Sequence, residues 1–188
     1  MEPFEFTLIA SGVDPCAADF EDRFFEAGCD DATISLQKGA VLLDFNRDAS
    51  SFEAAVNSAI ADVEKAGATV DHIEPDHLVH LTDIAKRAGL TKAAISNYAA
   101  GHRCAGFPAP VSRVTTESPL WDWATVAAWL AENGKVPNEV AARARFVRQT
   151  NNAISLSRSV RQASKPPKDA ASFVAPCHTR GGVRGRSA

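Results

Sequence analysis

Residues 81–101, LTDIAKRAGLTKAAISNYAAG, constrain this chain more than any other stretch. Ile84, Ala85 and Ala88 share one face of a first helix, Gly89 breaks the pattern, and Leu90 follows as an apolar plug. Thr91 stands where it can cap a second helix, whose inward face is Ala94, Ile95 and Tyr98. Two helices crossing at a steep angle need a small residue at the contact, and Ala85 supplies it. The sharp turn needs a residue that tolerates positive φ, which Gly89 does without steric cost. The pattern predicts a helix-turn-helix. Thr91, Lys92, Ala93, Ser96 and Asn97 are left facing outward on the second helix, residues 91–100. Such short polar or cationic groups fit a major groove and reach base edges or phosphates. A plain αα-hairpin has the same small-residue pattern, so the flanking sequence has to decide between the two.

Residues 101–111, GHRCAGFPAPV, are too rich in Gly and Pro for a helix. Residues 107–121 read as an extended β-wing with Arg113 near its tip. Phe107, Val111, Leu120, Trp121, Val126 and Trp129 would pin it to the helical pair. Asp122 caps a following helix at 123–133, and the three tryptophans read as core rather than as base-stacking platforms.

The first 75 residues have a different pattern. FEFTLIA at 4–10 suits a strand, and Asp14-Pro15 opens a helix at 15–27 that Gly28 ends. ATISLQ at 32–37 and AVLLDF at 40–45 are strands joined by a tight Lys38-Gly39 hairpin. Ser50 or Ser51 caps a helix at 52–66, Gly67 stops it, and TVDHI at 69–73 is a fourth strand. The order β-α-β-β-α-β predicts an α+β chain. It begins with a ferredoxin-like plait, a four-stranded antiparallel sheet with two helices on one face, and continues into a mainly α winged helix-turn-helix domain. The expected divisions are 1–75, an acidic plait; 76–133, a winged helix-turn-helix; 134–163, a C-terminal helix; and 164–188, a disordered basic tail. In the C-terminal helix Ala141, Ala142, Phe146 and Val147 form an apolar strip, and Arg143, Arg145 and Arg148 a basic face. Asn151-Asn152 is a point of interruption. That helix serves either dimer contact and extra phosphate grip, or packing alone.

The formal net charge of −3 conceals an asymmetry. Residues 1–80 carry 4 Lys and Arg against 17 Asp and Glu, whereas residues 81–165 carry 12 against 5. A polyanion would bind the second part and be repelled by the first. The −13 of the first 80 residues also argues against RNA binding on an aromatic-studded sheet. No apolar run approaches the roughly 20 residues needed to span a bilayer, and MEPFEF lacks signal-peptide charge, so a cytoplasmic protein is expected. The four cysteines form no CxxC pair and the five histidines show no zinc spacing, so no metal or cofactor is expected. No nucleophile–base pair or phosphate-binding glycine loop appears either, which argues against an enzyme.

The run from IAKRAGLTKAAISNYAAGHR through GFPAPV to PLWDWATVAAWL resembles the winged helix-turn-helix of excisionase-type and mercury-regulator-type (MerR-like) bacterial DNA-binding proteins, over residues 78–132. In those proteins a GFP-x-P-type segment follows the recognition helix and an LW-x-W-x-x-V-x-x-WL helix closes the domain. The arrangement of 1–132 also resembles small bacterial DNA-binding proteins that carry an acidic plait ahead of this domain. The resemblance places Thr91, Lys92, Ala93, Ser96 and Asn97 on the recognition helix and Arg113 in the wing. In one respect the chain departs from the family. No arginine lies on the outward face, so bidentate reading of guanine is not available there.

The expectation is a sequence-selective double-stranded DNA-binding protein, a transcriptional regulator acting as a homodimer on the nucleoid. Asn97 is the candidate for adenine, and Ser96 and Thr91 add weaker hydrogen bonds. Lys86, Arg87, Lys92, His102, Arg103 and Arg113 are the phosphate candidates. The rival expectation is a protein-interaction adaptor that uses the acidic plait without DNA. Gly12 to Asp14, between strand and helix, is a place where the plait could hold a small-molecule effector.

Overall fold

A computed structural model describes residues 1–163. Residues 164–188, read from sequence as a basic tail, lie outside the described residues. The fold is mixed α+β, with a four-stranded antiparallel sheet and six helices among the described residues.

β1 (Glu2–Ser11) and β3 (Ala40–Ala49) form the centre of the sheet, with β2 (Ala32–Gln37) and β4 (Thr69–Glu74) at its edges, in the order β2-β3-β1-β4. All neighbouring pairs are antiparallel. Alternation decides which side is buried. Phe4, Phe6, Leu8 and Ala10 of β1 and Val41, Leu43 and Phe45 of β3 point into one core. Glu5, Thr7, Asp44, Asn46 and Asp48 alternate with them. The Lys38-Gly39 turn takes positive φ at both residues, 52° and 83°, as a two-residue hairpin requires.

α1 (Phe20–Ala27) and α2 (Phe52–Lys65) cover the apolar side through Phe20, Phe24, Phe52, Val56 and Val63. Ser51 caps α2 by accepting from Ala54 N at 3.1 Å. The helix predicted at 15–27 starts five residues later than expected. Asp14 Oδ1 accepts from Cys16 N at 3.0 Å, and Phe20 N donates to Ala17 O, so residues 14–19 close turns before the helix begins.

β5 (Leu78–Val79) leads into α3 (Leu81–Ala88) and α4 (Lys92–Ala99), and β6 (Trp121–Asp122) into α5 (Trp123–Glu132). A second core collects Ile84, Ala85, Ile95, Tyr98, Val126, Leu130 and all three tryptophans. The ring hydrogens of two of these are matched: Trp121 Nε1 donates to Pro108 O and Trp129 Nε1 to Ala105 O.

α6 (Asn138–Ala163) joins the two cores. Ala141 and Ala144 belong to the second core, Val147 to the first, and Phe146 packs edge-on against Phe52. Ala142, expected on the apolar strip, is exposed. The helix is not interrupted at Asn151. This side chain is 5 % exposed and pairs twice with the backbone of Ile73: Ile73 N donates to Oδ1 at 2.7 Å, and Nδ2 donates to Ile73 O at 3.0 Å. The amide acts as a substitute strand on the β4 edge, which would otherwise present open donors and acceptors. Asn151→Ala removes both partners. It should cost about 1–3 kcal/mol in urea unfolding, the desolvation cost of unmatched backbone groups. A loss no larger than that of a surface substitution would mean that water replaces the amide.

Candidate nucleic-acid interface

The outward edge of α4 is the place to look for a polyanion site, and its geometry begins at the turn. Gly89 adopts φ 64°, which reverses the chain in one residue, and its N–H closes on Lys86 O. Leu90 N then donates to Ala85 O at 2.9 Å. Thr91 caps α4 by accepting from Ala94 N at 3.1 Å. Ile95 and Tyr98 are buried against α3 and the tryptophans. Tyr98 packs on Phe107 and Trp129, with ring centroids 6.4 and 5.4 Å away.

Anchoring the inner face leaves the outer one open. Thr91, Lys92 and Ala93 are exposed, and Ser96 and Asn97 are half-buried beside them. Lys86, His102, Arg103 and Arg113 are exposed as well.

Arg87 does not belong with them. Its Nη1 donates to Asp76 O at 2.8 Å, and its guanidinium lies over Trp123, 5.6 Å from the ring centre. Burial lowers its pKa from the usual arginine value. The sequence pattern gave no sign of this, because the stacking partner comes from α5, 36 positions along the chain.

The expected β-wing over 107–121 is much shorter than predicted. One bridge, Ser112 with Leu120, closes a loop over 113–119, and the strand that follows pairs back with β5 rather than with the loop. Arg113 opens the loop at φ 51°, a left-handed conformation held by Thr116, whose N and Oγ1 both donate to Arg113 O. Phe107, Trp121, Val126 and Trp129 do pack in the second core, but Val111 is 58 % exposed and its side chain does not join it.

A groove runs between the start of α3 and this loop, beside Lys92. Thr82 and Ser118 line it, and neither was singled out from sequence, because the approach of residue 118 to residue 82 depends on the β5–β6 pairing. Glu117 and Asp83 line it too, so its floor does not favour an anion; Asp83 is committed to His80 N at 3.2 Å.

The remaining basic groups of α6 are largely spent within the molecule. Arg143 pairs with Glu139 and stacks over Phe4 and Phe52, Arg148 pairs with Asp122 at 3.2 Å, and Arg158 pairs with Asp71 at 3.1 Å. Arg145 is exposed. These contacts fit the packing role for this helix better than an added phosphate grip.

Cys29 is a buried thiol, and burial raises its pKa to about 11, so it is not a nucleophile at neutral pH. Among the described residues there is no cluster of His, Cys, Asp and Glu suited to a metal ion, and no helix long and apolar enough to cross a membrane. Comparison with protein families, curated proteins and solved structures gives no match.

Proposed function

We propose that this protein binds double-stranded DNA with sequence selectivity and acts as a transcriptional regulator. On this reading residues 1–75 are a ferredoxin-like plait, and residues 76–133 a winged helix-turn-helix of excisionase or MerR-like type. The observation that carries the proposal is the outer edge of α4. It presents Thr91, Lys92 and Ala93 to solvent with Ser96 and Asn97 beside them, while Ile95 and Tyr98 fix the opposite side. A helix held in this way and left polar on its free edge suits a major groove.

Asn97 pairs with adenine N6 and N7, and Lys86, Lys92, Arg103 and Arg113 grip phosphates, with His102 adding a further contact. Arg87 drops out of the phosphate set because it is engaged with Asp76 and Trp123. One such domain has a small footprint, so a homodimer on paired half-sites supplies the affinity, in the cytoplasm where the DNA lies.

Mobility shift on genomic fragments at low salt tests the proposal. The expected result is bound fragments whose footprint shows a two-fold repeat; no bound fragment rejects it. Asn97→Ala should lose roughly 1–3 kcal/mol of discrimination at one base pair, read by competition between operator variants, without a comparable loss on random DNA.

A second reading rests on a separate observation. The sheet face opposite α1 and α2 exposes Glu5, Asp44, Asp48 and Glu74. An acidic open face of this kind would suit a basic protein partner, and retention of that partner by a chain that shifts no DNA would favour the adaptor.

A further inference from the structure

A cleft of about 290 Å³ lies where the two cores meet. Five elements converge on it: Glu5 from β1, Phe52 from α2, Arg87 from α3, Trp123 from α5, and Val140 and Val147 from α6. Its walls are mainly apolar, with two aromatic rings among them, and its volume lies near the lower end of small-molecule sites. The cation in the wall is under-used. Arg87 has five N–H donors, and among the described residues one of them, on Nη1, has a hydrogen-bond acceptor, Asp76 O. No carboxylate among the described residues forms an ion pair with it, although Asp83, Asp76 and Glu74 act on its charge from further away, and burial lowers its pKa. Arg143, the other guanidinium on the wall, is committed to Glu139 and to the rings of Phe4 and Phe52. His77 also lines the cleft. Its Nδ1 is buried without a hydrogen-bond partner among the described residues, although Asp76 Oδ1 lies 2.9 Å away in a geometry that makes no bond.

A mainly apolar slot with Phe52 and Trp123 in its lining suits a flat ring of small-molecule size. A half-buried guanidinium with free donors selects a carboxylate, which it can hold through two parallel bonds. We propose that this cleft binds a small aromatic carboxylate, its ring against the apolar lining and its carboxylate on Arg87. Glu5 is exposed at the rim, which disfavours a ligand with a second negative charge. The site is distinct from the α4 edge and does not depend on DNA binding. Because Arg87 belongs to α3 and Phe52 to α2, a ligand there ties the sheet to the helical pair.

The test is calorimetric titration of the full chain, without DNA, with benzoate, phenylacetate and indole-3-acetate, each beside its neutral amide, with tryptophan fluorescence followed in parallel. At least one carboxylate should bind saturably with one site per chain in the millimolar range or below, and its amide should bind at least tenfold more weakly. Arg87→Met keeps the packing over Trp123 and removes the charge. It should weaken binding roughly ten- to a hundredfold, the range for a charge-assisted hydrogen bond. Arg145→Met, outside the cleft, should leave binding unchanged. The proposal is overturned if none of the three carboxylates binds, if the amides bind equally well, or if folded Arg87→Met binds as the wild type does. The amide comparison needs no variant, so it stands even where Arg87→Met fails to fold.

Discussion

Arg47→Met should lose about 3–5 kcal/mol of folding stability, which is a large share of the roughly 5–15 kcal/mol available to a domain of this kind. Arg47 is 8 % exposed, on the core side of β3. All five of its donors are used. Nε and Nη2 grip the two oxygens of Asp31 at 2.7 and 2.8 Å, Nη1 reaches Asp62 Oδ2 at 2.7 Å and Ser58 Oγ at 3.1 Å, and Nη2 also donates to Gly28 O at 2.7 Å. The two carboxylates hold the guanidinium charged, with its pKa above the usual arginine value. Methionine would fill much of the volume but leave Asp31 and Asp62 facing each other without a counter-charge. Both carboxylates keep slightly more than a quarter of their side-chain surface in water, so the loss should fall toward the lower end of that range. Arg47→Lys retains the charge without the fork and should fall between methionine and wild type. Neutralising both acids in the methionine background should recover part of the loss. Urea unfolding of the wild type and the three variants checks this, and a drop under about 1 kcal/mol for Arg47→Met would show that solvent screens the network as it does a surface pair.

The second large effect concerns DNA. With Lys86, Lys92, Arg103 and Arg113 on phosphates, the logarithm of affinity should fall against the logarithm of salt with a slope of about −3.6. Raising salt from about 50 to about 200 mM should then weaken binding roughly 150-fold. Removing one cation, as in Lys92→Ala, should weaken all sequences alike and reduce the slope by about one. Fluorescence anisotropy over a salt series measures both. A slope near zero in a protein that still binds would mean that these side chains do not touch the backbone. If Arg87 contributed after all, the slope would be steeper by about one and Arg87→Met would reduce it. The same variant therefore probes the interface and the junction cleft through separate readouts.

Local chemistry made much of the molecule readable before any fold was known. Gly89, Thr91, Ile95 and Tyr98 signal their turn, cap and buried face within ten residues, and the structure places each accordingly. Ser51, Asp122 and the Lys38-Gly39 turn are equally local. β3 shows where this kind of reading stops. Read from sequence the strand ends at Phe45. It runs on to Ala49 because Asp31 and Asp62, 16 and 15 positions away, compensate Arg47. Asn151 is a similar case. It looked like a break in a helix and is instead the partner of a strand edge 78 positions earlier.

Periodicity, caps and turn glycines act within a few residues, and they alone determined where most helices and strands form, which faces they bury, and that acidic and basic halves follow one another. The tertiary structure decided which polar groups are consumed inside the molecule and which remain free. It set Arg47, Asn151, Arg87 and Arg148 against distant partners, reduced the expected wing to a short loop, and ran α6 across both cores. The cost of burying a charge or an amide depends on what lies opposite it, and that is known only once the chain has closed on itself.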